Sequence, residues 1–170
     1  QRDGAAGALV CLDQEKCFDR VAHGFMFRAM AAYGFGPGMI GLVRAFYNGA
    51  TSRVLVNGVF SEQIRLGQGV RQGAPPSSLL YIITAEMFAN AVRKDSQIRG
   101  IRIWGREKKI GGYADDVQGY LTSDDSIRRF MALADLFGQA AGSRPNRQKS
   151  EGVWLGPWQE RVGCHLGLNW

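Results

Sequence analysis

The run GALVCLD (residues 7–13) is apolar up to its last residue, a pattern that suits a buried strand delivering Asp13 at its C-terminal end. HGFMFRAMAAYGFG follows with helical spacing at Phe25, Ala29 and Ala32, and Gly34 and Gly36 stop it. PGMIGLVRAFYNG predicts a second helix, with Pro37 in the first turn and Ile40, Val43 and Tyr47 on one face. In RVLVNGVFSEQIRL two alternating runs flank Asn57-Gly58, a strong turn signal, and predict a hairpin. GQGVRQGAPPSS is loop-like. The long helix after it is expected to be capped by Ser77 or Ser78 and to bury Leu79, Ile83 and Met87, running to about Lys94. IRGIRIWG and KKIGGYADDVQGYL read as strands joined by a basic turn at Arg106–Lys109. DDSIRRFMALADLFGQAAG predicts an amphipathic helix, capped by Ser123 or Asp124, with Ile127, Met131 and Leu136 buried. EGVWLG and CHLGL close the chain as short strands. The chain shows no internal repeat, low-complexity tract or linker. Strands and helices mixed with hairpins, rather than in strict βαβα order, predict an α+β layered domain.

Composition narrows the class. A chain of 170 residues suits one domain with a proper core. With 45% hydrophobic and 21% charged residues, disorder and collagen-like structure are excluded. The net charge of +6 and pI near 9.5 favour polyanionic partners. Cys11, Cys17 and Cys164 are odd in number and lack CxxC spacing, which argues against a disulfide framework or zinc site and for reduced thiols in an intracellular compartment. LLYIITAEMFANAV, the longest apolar stretch, is broken by Glu86 and too short to span a bilayer, so no membrane partner is expected. No signal peptide is expected, and because the chain does not begin with Met it is expected to be a piece of a longer protein.

GYADDVQGYL (112–121) places two adjacent acids, Asp115 and Asp116, inside a strand-like run. Such a pair is disfavoured by repulsion and desolvation unless something positive sits beside it. Asp124 and Asp125 form a second pair, yet they precede a helix, where capping and the helix dipole account for them. Asp115 and Asp116 fall at a turn between strands. If those strands neighbour the one ending at Asp13, three carboxylates from distant segments converge into a hard oxygen site suited to Mg²⁺. Residue types and spacing alone leave a turn cap and a metal ligand both open.

LDQEKCFDRV, GVRQGAPPSSLLY and YADD, in that order, resemble motifs A, B and C of reverse transcriptases. AGSRPNRQKSE is similar to motif D and CHLGL to the primer-grip motif E, so the resemblance covers roughly residues 8–169. The D-x-x-K-x-F-D form and R-Q-G before a proline are closest to the non-LTR (LINE-type) retrotransposon enzymes. The resemblance implies an α+β polymerase palm with an RNA-recognition/ferredoxin-like core, an antiparallel sheet packed on helices. It implies RNA-directed DNA polymerase activity with Mg²⁺ or Mn²⁺, an RNA template, a DNA primer and dNTPs. The whole of 1–170 is expected to be palm, with the N-terminal fingers and the thumb outside it, in a larger retroelement polyprotein that is intracellular and, if the element is eukaryotic, of the nucleus and cytoplasm.

By the same resemblance Asp13, Asp115 and Asp116 are catalytic metal ligands, with the Gln14 carbonyl as a further oxygen ligand. Phe18 takes the sugar-gate position that excludes a 2′-hydroxyl. Arg71, Gln72 and Gly73 bind the nucleotide, Lys149 protonates departing pyrophosphate, and Leu166 and Gly167 support the primer strand. After the glycine the family usually shows Cys-Pro-Leu-Ser-Pro, where this chain has Ala-Pro-Pro-Ser-Ser. Read without the family, Phe18 is a core phenylalanine, 71–73 a polar turn, Lys149 a solvated lysine and Leu166-Gly167 a tight hairpin turn. Lys16 and Asp19 are expected in structural ion pairs, and His23 and His165 in structural roles. The cations Arg99, Arg102, Arg106, Lys108, Lys109, Arg128, Arg129, Arg144 and Arg147 are available to phosphates of a template–primer duplex.

Two rival readings use the same residues. One is a decayed, non-catalytic nucleic-acid-binding module derived from such an element. The other is a structural or protein-interaction α+β domain with its acids as turn caps, which predicts Asp13 far from Asp115.

Overall fold

The computed structural model describes residues 6–113, 116–161 and 166–170. In chain order the elements begin β1 (Gly7–Leu12), β2 (Gln14–Glu15), α1 (His23–Ala32) and α2 (Pro37–Tyr47). A small two-rung hairpin follows: β3 (Thr51–Ser52), β4 (Leu55–Val56), β5 (Val59–Phe60) and β6 (Ile64–Arg65). Then come α3 (Ser77–Lys94), β7 (Ile101–Ile103), β8 (Arg106–Lys108), β9 (Ile110–Tyr113) and β10 (Asp116–Leu121). α4 (Asp124–Ala141), β11 (Arg144–Pro145), β12 (Glu151–Leu155) and a 3₁₀ turn at Gly156–Glu160 complete the chain.

The central sheet has the order β12-β1-β10-β9, antiparallel throughout. Strand alternation gives β1 two unlike faces. Ala8, Val10 and Leu12 are buried and pack with Val117 and Leu121 against Phe88 and Val92 of α3 and Ile127, Phe130 and Met131 of α4. Burying a side chain of this size stabilises by roughly 1.5–3 kcal/mol. Cys11 is only half-buried, on the opposite face. A second core joins α1, α2 and the first half of α3 through Met26, Met30, Val43, Tyr47, Leu80 and Tyr81. The α+β expectation, an antiparallel sheet packed on helices, is borne out.

Several local expectations need correction. α3 buries Leu80, Tyr81, Thr84, Phe88 and Val92, while Leu79 is 64% exposed. The helix serves one core with its first half and the other with its second, so its buried stripe is rotated from the 79/83/87 face. Its N-cap is Pro76, and Ser77, buried in the first turn, caps nothing. On α1 Met26, Ala29 and Met30 are buried and Ala32 is exposed, while Phe25 meets Phe137 of α4 edge-on. On α4 Ser123 caps by accepting from Ser126 N–H, and Ile127 and Met131 are buried as expected. Leu136 is 60% exposed, because the buried helical spacing continues through Ala134, Gly138 and Ala141. Arg106–Lys108 is strand, and the turn before it is Trp104-Gly105. Asn57-Gly58 forms the expected two-residue turn, with both φ angles positive. The end of CHLGL is a turn, followed by a single bridge from Asn169 to Glu151.

Candidate active site

The register of the central sheet assembles the site. Leu12 lies opposite Val117, and Cys11 lies opposite Gln118 and Glu151. Continuing that register by one residue sets Asp13 against Asp116. The pleat then puts Cys11, Asp13, Asp116, Gln118 and Glu151 on the face not covered by α3 and α4. They line one open cavity of about 330 Å³, with Lys149 at its edge. Burial pushes the Cys11 thiol up from its ordinary value, and the neighbouring Glu151 and Asp116 charges push it further, which marks the cavity as electronegative.

The backbone of Asp13 is held on both sides. Its N–H donates to Ser150 Oγ at 3.1 Å, and its carbonyl accepts from Asn146 N–H at 2.9 Å. Ser150 is fully buried, and its hydroxyl in turn donates to the Asn146 carbonyl at 2.8 Å. Asp115 lies outside the described residues. Among the described residues no group of three or more His, Cys, Asp or Glu is placed to hold a metal ion. The Gln14 side chain turns to Ser143, whose hydroxyl donates to it at 2.6 Å, and to Tyr81.

A second cavity, of about 580 Å³, gathers Phe18, Gln72, Gly73, Ala74, Pro75, Ser77 and Ser78. Phe18 stacks on Tyr81, with ring centroids 4.6 Å apart. The loop before α3 is tied to the chain after Asp13 by two backbone bonds, Gly69 N–H to the Val21 carbonyl and Val70 N–H to the Phe18 carbonyl, both 2.8 Å. His23 Nε2 lies 2.8 Å from the Gly69 carbonyl, a structural role as expected. Gln72 donates to Asp19 at 3.1 Å. Among the described residues neither Asp19 nor Lys16 forms an ion pair, and the local pair is Arg20–Glu15 at 3.0 Å. Lys16 instead takes a positive φ and its carbonyl accepts from Asp19 and Arg20 in a turn.

Gly73 has φ +84° and open space where a Cβ would stand. Arg71 is exposed and lines neither cavity. Leu166 and Gly167 both have positive φ and form a turn, the Leu166 carbonyl accepting from Arg147, which also pairs with Asp135. Arg129 pairs with Asp95 and Arg128 with Asp125, which uses charge assigned above to phosphates. A larger cavity, of about 660 Å³, lies beside β11 between Arg20, Asp135 and Arg144, and holds none of the predicted catalytic, metal, nucleotide or primer-grip residues, only Arg144 of the cations assigned to phosphates. His165 and Cys164 lie outside the described residues.

The sequence motifs gave no sign of Glu151, Ser150, Asn146 or Tyr81, and led to an ion pair being expected where Asp19 instead accepts from Gln72. Glu151 was the most accessible of these, because an acid opening a strand beside β1 has one of only two faces to occupy. Ser150 and Asn146 act through buried backbone bonds, which leave no spacing signature.

Among the described residues no helix is long and apolar enough to cross a membrane. Residues 1–166 match the family described as reverse transcriptase (RNA-dependent DNA polymerase). The chain is 33% identical over 99% of its length to the Transposon TX1 uncharacterized 149 kDa protein of Xenopus laevis, and covers 14% of that protein. It is 35% identical over 85% of its length to the retrovirus-related Pol polyprotein from type-1 retrotransposable element R2 of Popillia japonica, and covers 24% of it. It thus spans a quarter or less of these relatives. A telomerase structure from Candida tropicalis, in complex with a fragment of telomeric RNA, superposes with a TM-score of 0.69 over 90% of this chain and 26% of its own, at 13% identity. A second, apo telomerase structure from that organism gives 0.65 over 94% of this chain and 32% of its own, at 15% identity. These two likenesses show a shared fold. By its family match and its relatives, the chain belongs to the reverse transcriptase (RNA-dependent DNA polymerase) family, of the non-LTR retrotransposon class.

Proposed function

We propose that this chain is the palm of an RNA-directed DNA polymerase, joining a dNTP to a primer 3′-hydroxyl on an RNA template. The meeting of Asp13, Asp116 and Lys149 on one electronegative cavity at the open sheet face carries this reading. The donor set fits a hard divalent ion: two carboxylates here, a third on Asp115 next in the chain, and backbone oxygen nearby. Asp13, Asp115 and Asp116 would hold Mg²⁺ or Mn²⁺, with the Gln14 carbonyl as a further ligand. Paired divalent ions in such a site supply nucleophile activation and charge neutralisation for in-line phosphoryl transfer.

The chain's own groups do the rest. Ser150 and Asn146 fix the backbone of Asp13, so its carboxylate needs little reordering. Phe18, braced by Tyr81, presents its ring to the sugar and leaves no room for a 2′-hydroxyl. Gly73 leaves open space for close approach of the nucleotide, Gln72 offers an amide, and Arg71 adds a cation. Lys149 donates a proton to departing pyrophosphate, a role worth about 10²–10⁴-fold in rate. The Leu166-Gly167 turn supports the primer strand. Fingers, thumb and further domains of a parent polyprotein would supply the triphosphate and duplex grips, in the nucleus and cytoplasm.

Two measurements test this. Calorimetric titration with Mn²⁺ should detect binding that Asp116→Asn and Asp13→Asn each abolish. Primer extension on an RNA template by the parent polyprotein should fail in the same variants. Undiminished extension with both acids neutralised would overturn the assignment.

A further inference from the structure

The chain builds the same two-residue hairpin turn twice. Asn57-Gly58 has φ angles of +50° and +81°; Trp104-Gly105 has +48° and +77°. The first position of such a turn is left-handed, where Asn, Asp or Gly is at home and a bulky L residue is disfavoured. Trp104 sits there 98% exposed, with no ring or cation partner among the described residues. The chain's other tryptophans are engaged: Trp154 stacks on Trp170 at 3.8 Å, and Arg161 lies 3.7 Å over Trp158. Neither local backbone preference nor packing accounts for an indole at position 104.

Its surroundings are basic. Residues 99–109 carry five cations, Arg99, Arg102, Arg106, Lys108 and Lys109, against one acid, Glu107. Glu107 is already engaged by Gly100 N–H at 2.8 Å and lies 3.9 Å from Lys109. Arg102 and Arg106, on the two strands that flank the turn, lie opposite Glu107 and Ile103 and so on opposite faces of the hairpin; both are exposed and have no ion pair among the described residues, leaving a free cation on either side of the tip. An unpartnered ring at the tip of a cationic hairpin matches the stacking platform plus backbone attraction by which proteins hold single-stranded nucleic acid.

We propose that Trp104 stacks on an unpaired base of the nucleic acid being copied, while Arg102 and Arg106 hold the phosphates beside it. The choice of strand rests on the polymerase reading; the stacking itself needs no catalysis. β8 runs directly into β9, which leads to the acid pair. From Trp104 to Tyr113 the chain can span at most about 30 Å. That is less than one turn of duplex, about 34 Å. The contact therefore lies within one turn of duplex of the acid pair, and within that reach the strand that offers unpaired bases is the template not yet copied.

The test is fluorescence anisotropy of the 170-residue chain with a labelled single-stranded oligonucleotide, at two salt concentrations and without metal. Trp104→Asn should weaken binding about 5- to 150-fold, the range for loss of one base stack. Trp104→Phe should restore most of it. Neutralising Arg102 and Arg106 together should instead flatten the salt dependence. Because Asn suits the turn, Trp104→Asn should also raise the melting temperature, so lost affinity cannot be put down to lost folding. Equal affinity in Trp104→Asn would overturn the proposal. So would a loss confined to anionic vesicles, which would mark a membrane contact. Failure here leaves primer extension as the standing test of polymerase activity, while intact stacking in a chain whose parent cannot extend primers would separate the two the other way.

Discussion

Gly69, in the loop leading to the cavity of Phe18, Gln72 and Gly73, makes the closest test of how that loop is held. Its φ is +89°, and a Cβ built there would lie 2.6 Å from the Asp19 carbonyl oxygen. Gly69→Ala therefore carries two penalties. The left-handed backbone costs an L residue about 1–2 kcal/mol. The methyl group must also push the loop off the chain after Asp13, which breaks the bonds from Gly69 N–H to Val21 and from Val70 N–H to Phe18. At about 0.5–1.5 kcal/mol each, those add roughly 1–3 kcal/mol. The expected loss is about 2–5 kcal/mol, a large share of the roughly 5–15 kcal/mol that holds a domain together. Gly73→Ala is the control: φ is +84°, but no atom lies within 4 Å of its Cβ, so only the first penalty of about 1–2 kcal/mol applies. Urea denaturation reads both, and at an m-value near 2 kcal/mol/M the Gly69 variant should unfold about 1–2.5 M earlier than the parent. If the two alanines cost the same, the close approach of the loop is not what the geometry says it is.

Ser150→Ala should cost about 1–3 kcal/mol in the same assay, because the Asp13 N–H loses its buried acceptor. Ser77→Ala should go the other way, raising stability by about 1 kcal/mol, since the buried Ser77 hydroxyl has no hydrogen-bond partner among the described residues. Partial burial alone would raise the Asp95 carboxyl, but bonds from Gln97 N–H and the Arg129 guanidinium hold it below its ordinary value. A lowered carboxylate stabilises the fold above its unfolded pKa and ceases to as pH falls through the folded one. Melting temperatures of the parent and Asp95→Asn should therefore differ at neutral pH and converge below about pH 4. Phe18→Ala should admit ribonucleotides in primer extension by the parent polyprotein, and unchanged sugar selection would remove Phe18 from the gate.

Local signals carried much of the fold, and their failures share one cause. Asn57-Gly58, Pro37 and Ser123 act through their own backbone or their nearest neighbours, and each sits where its chemistry predicts. The misplaced faces belong to helices that serve more than one neighbour. α3 joins two cores, so no single stripe of spacing could mark its buried side. Trp104 hid a turn for a related reason: the rule that expects Asn or Gly at a left-handed position is broken there, and a rule broken without internal compensation points outward, to a ligand.

The site was legible to the extent that chemistry rides on strands. Once β1 pairs antiparallel with β10, the pleat fixes that Asp13, Cys11 and Gln118 share a face and that Asp116 joins them. Asp13 and Asp116 could therefore be foreseen together from two motifs about a hundred residues apart. Lys149 arrives differently, on a turn whose place is set by Asn146 bonding to the Asp13 carbonyl. Position and support are thus coupled: the segment that brings the lysine to the cavity is the one that locks the aspartate. Loosening Ser150 or Asn146 should accordingly degrade the roles proposed for Asp13 and Lys149 together, and a Ser150→Ala variant with weakened metal binding but a wild-type pH profile for primer extension would break that coupling.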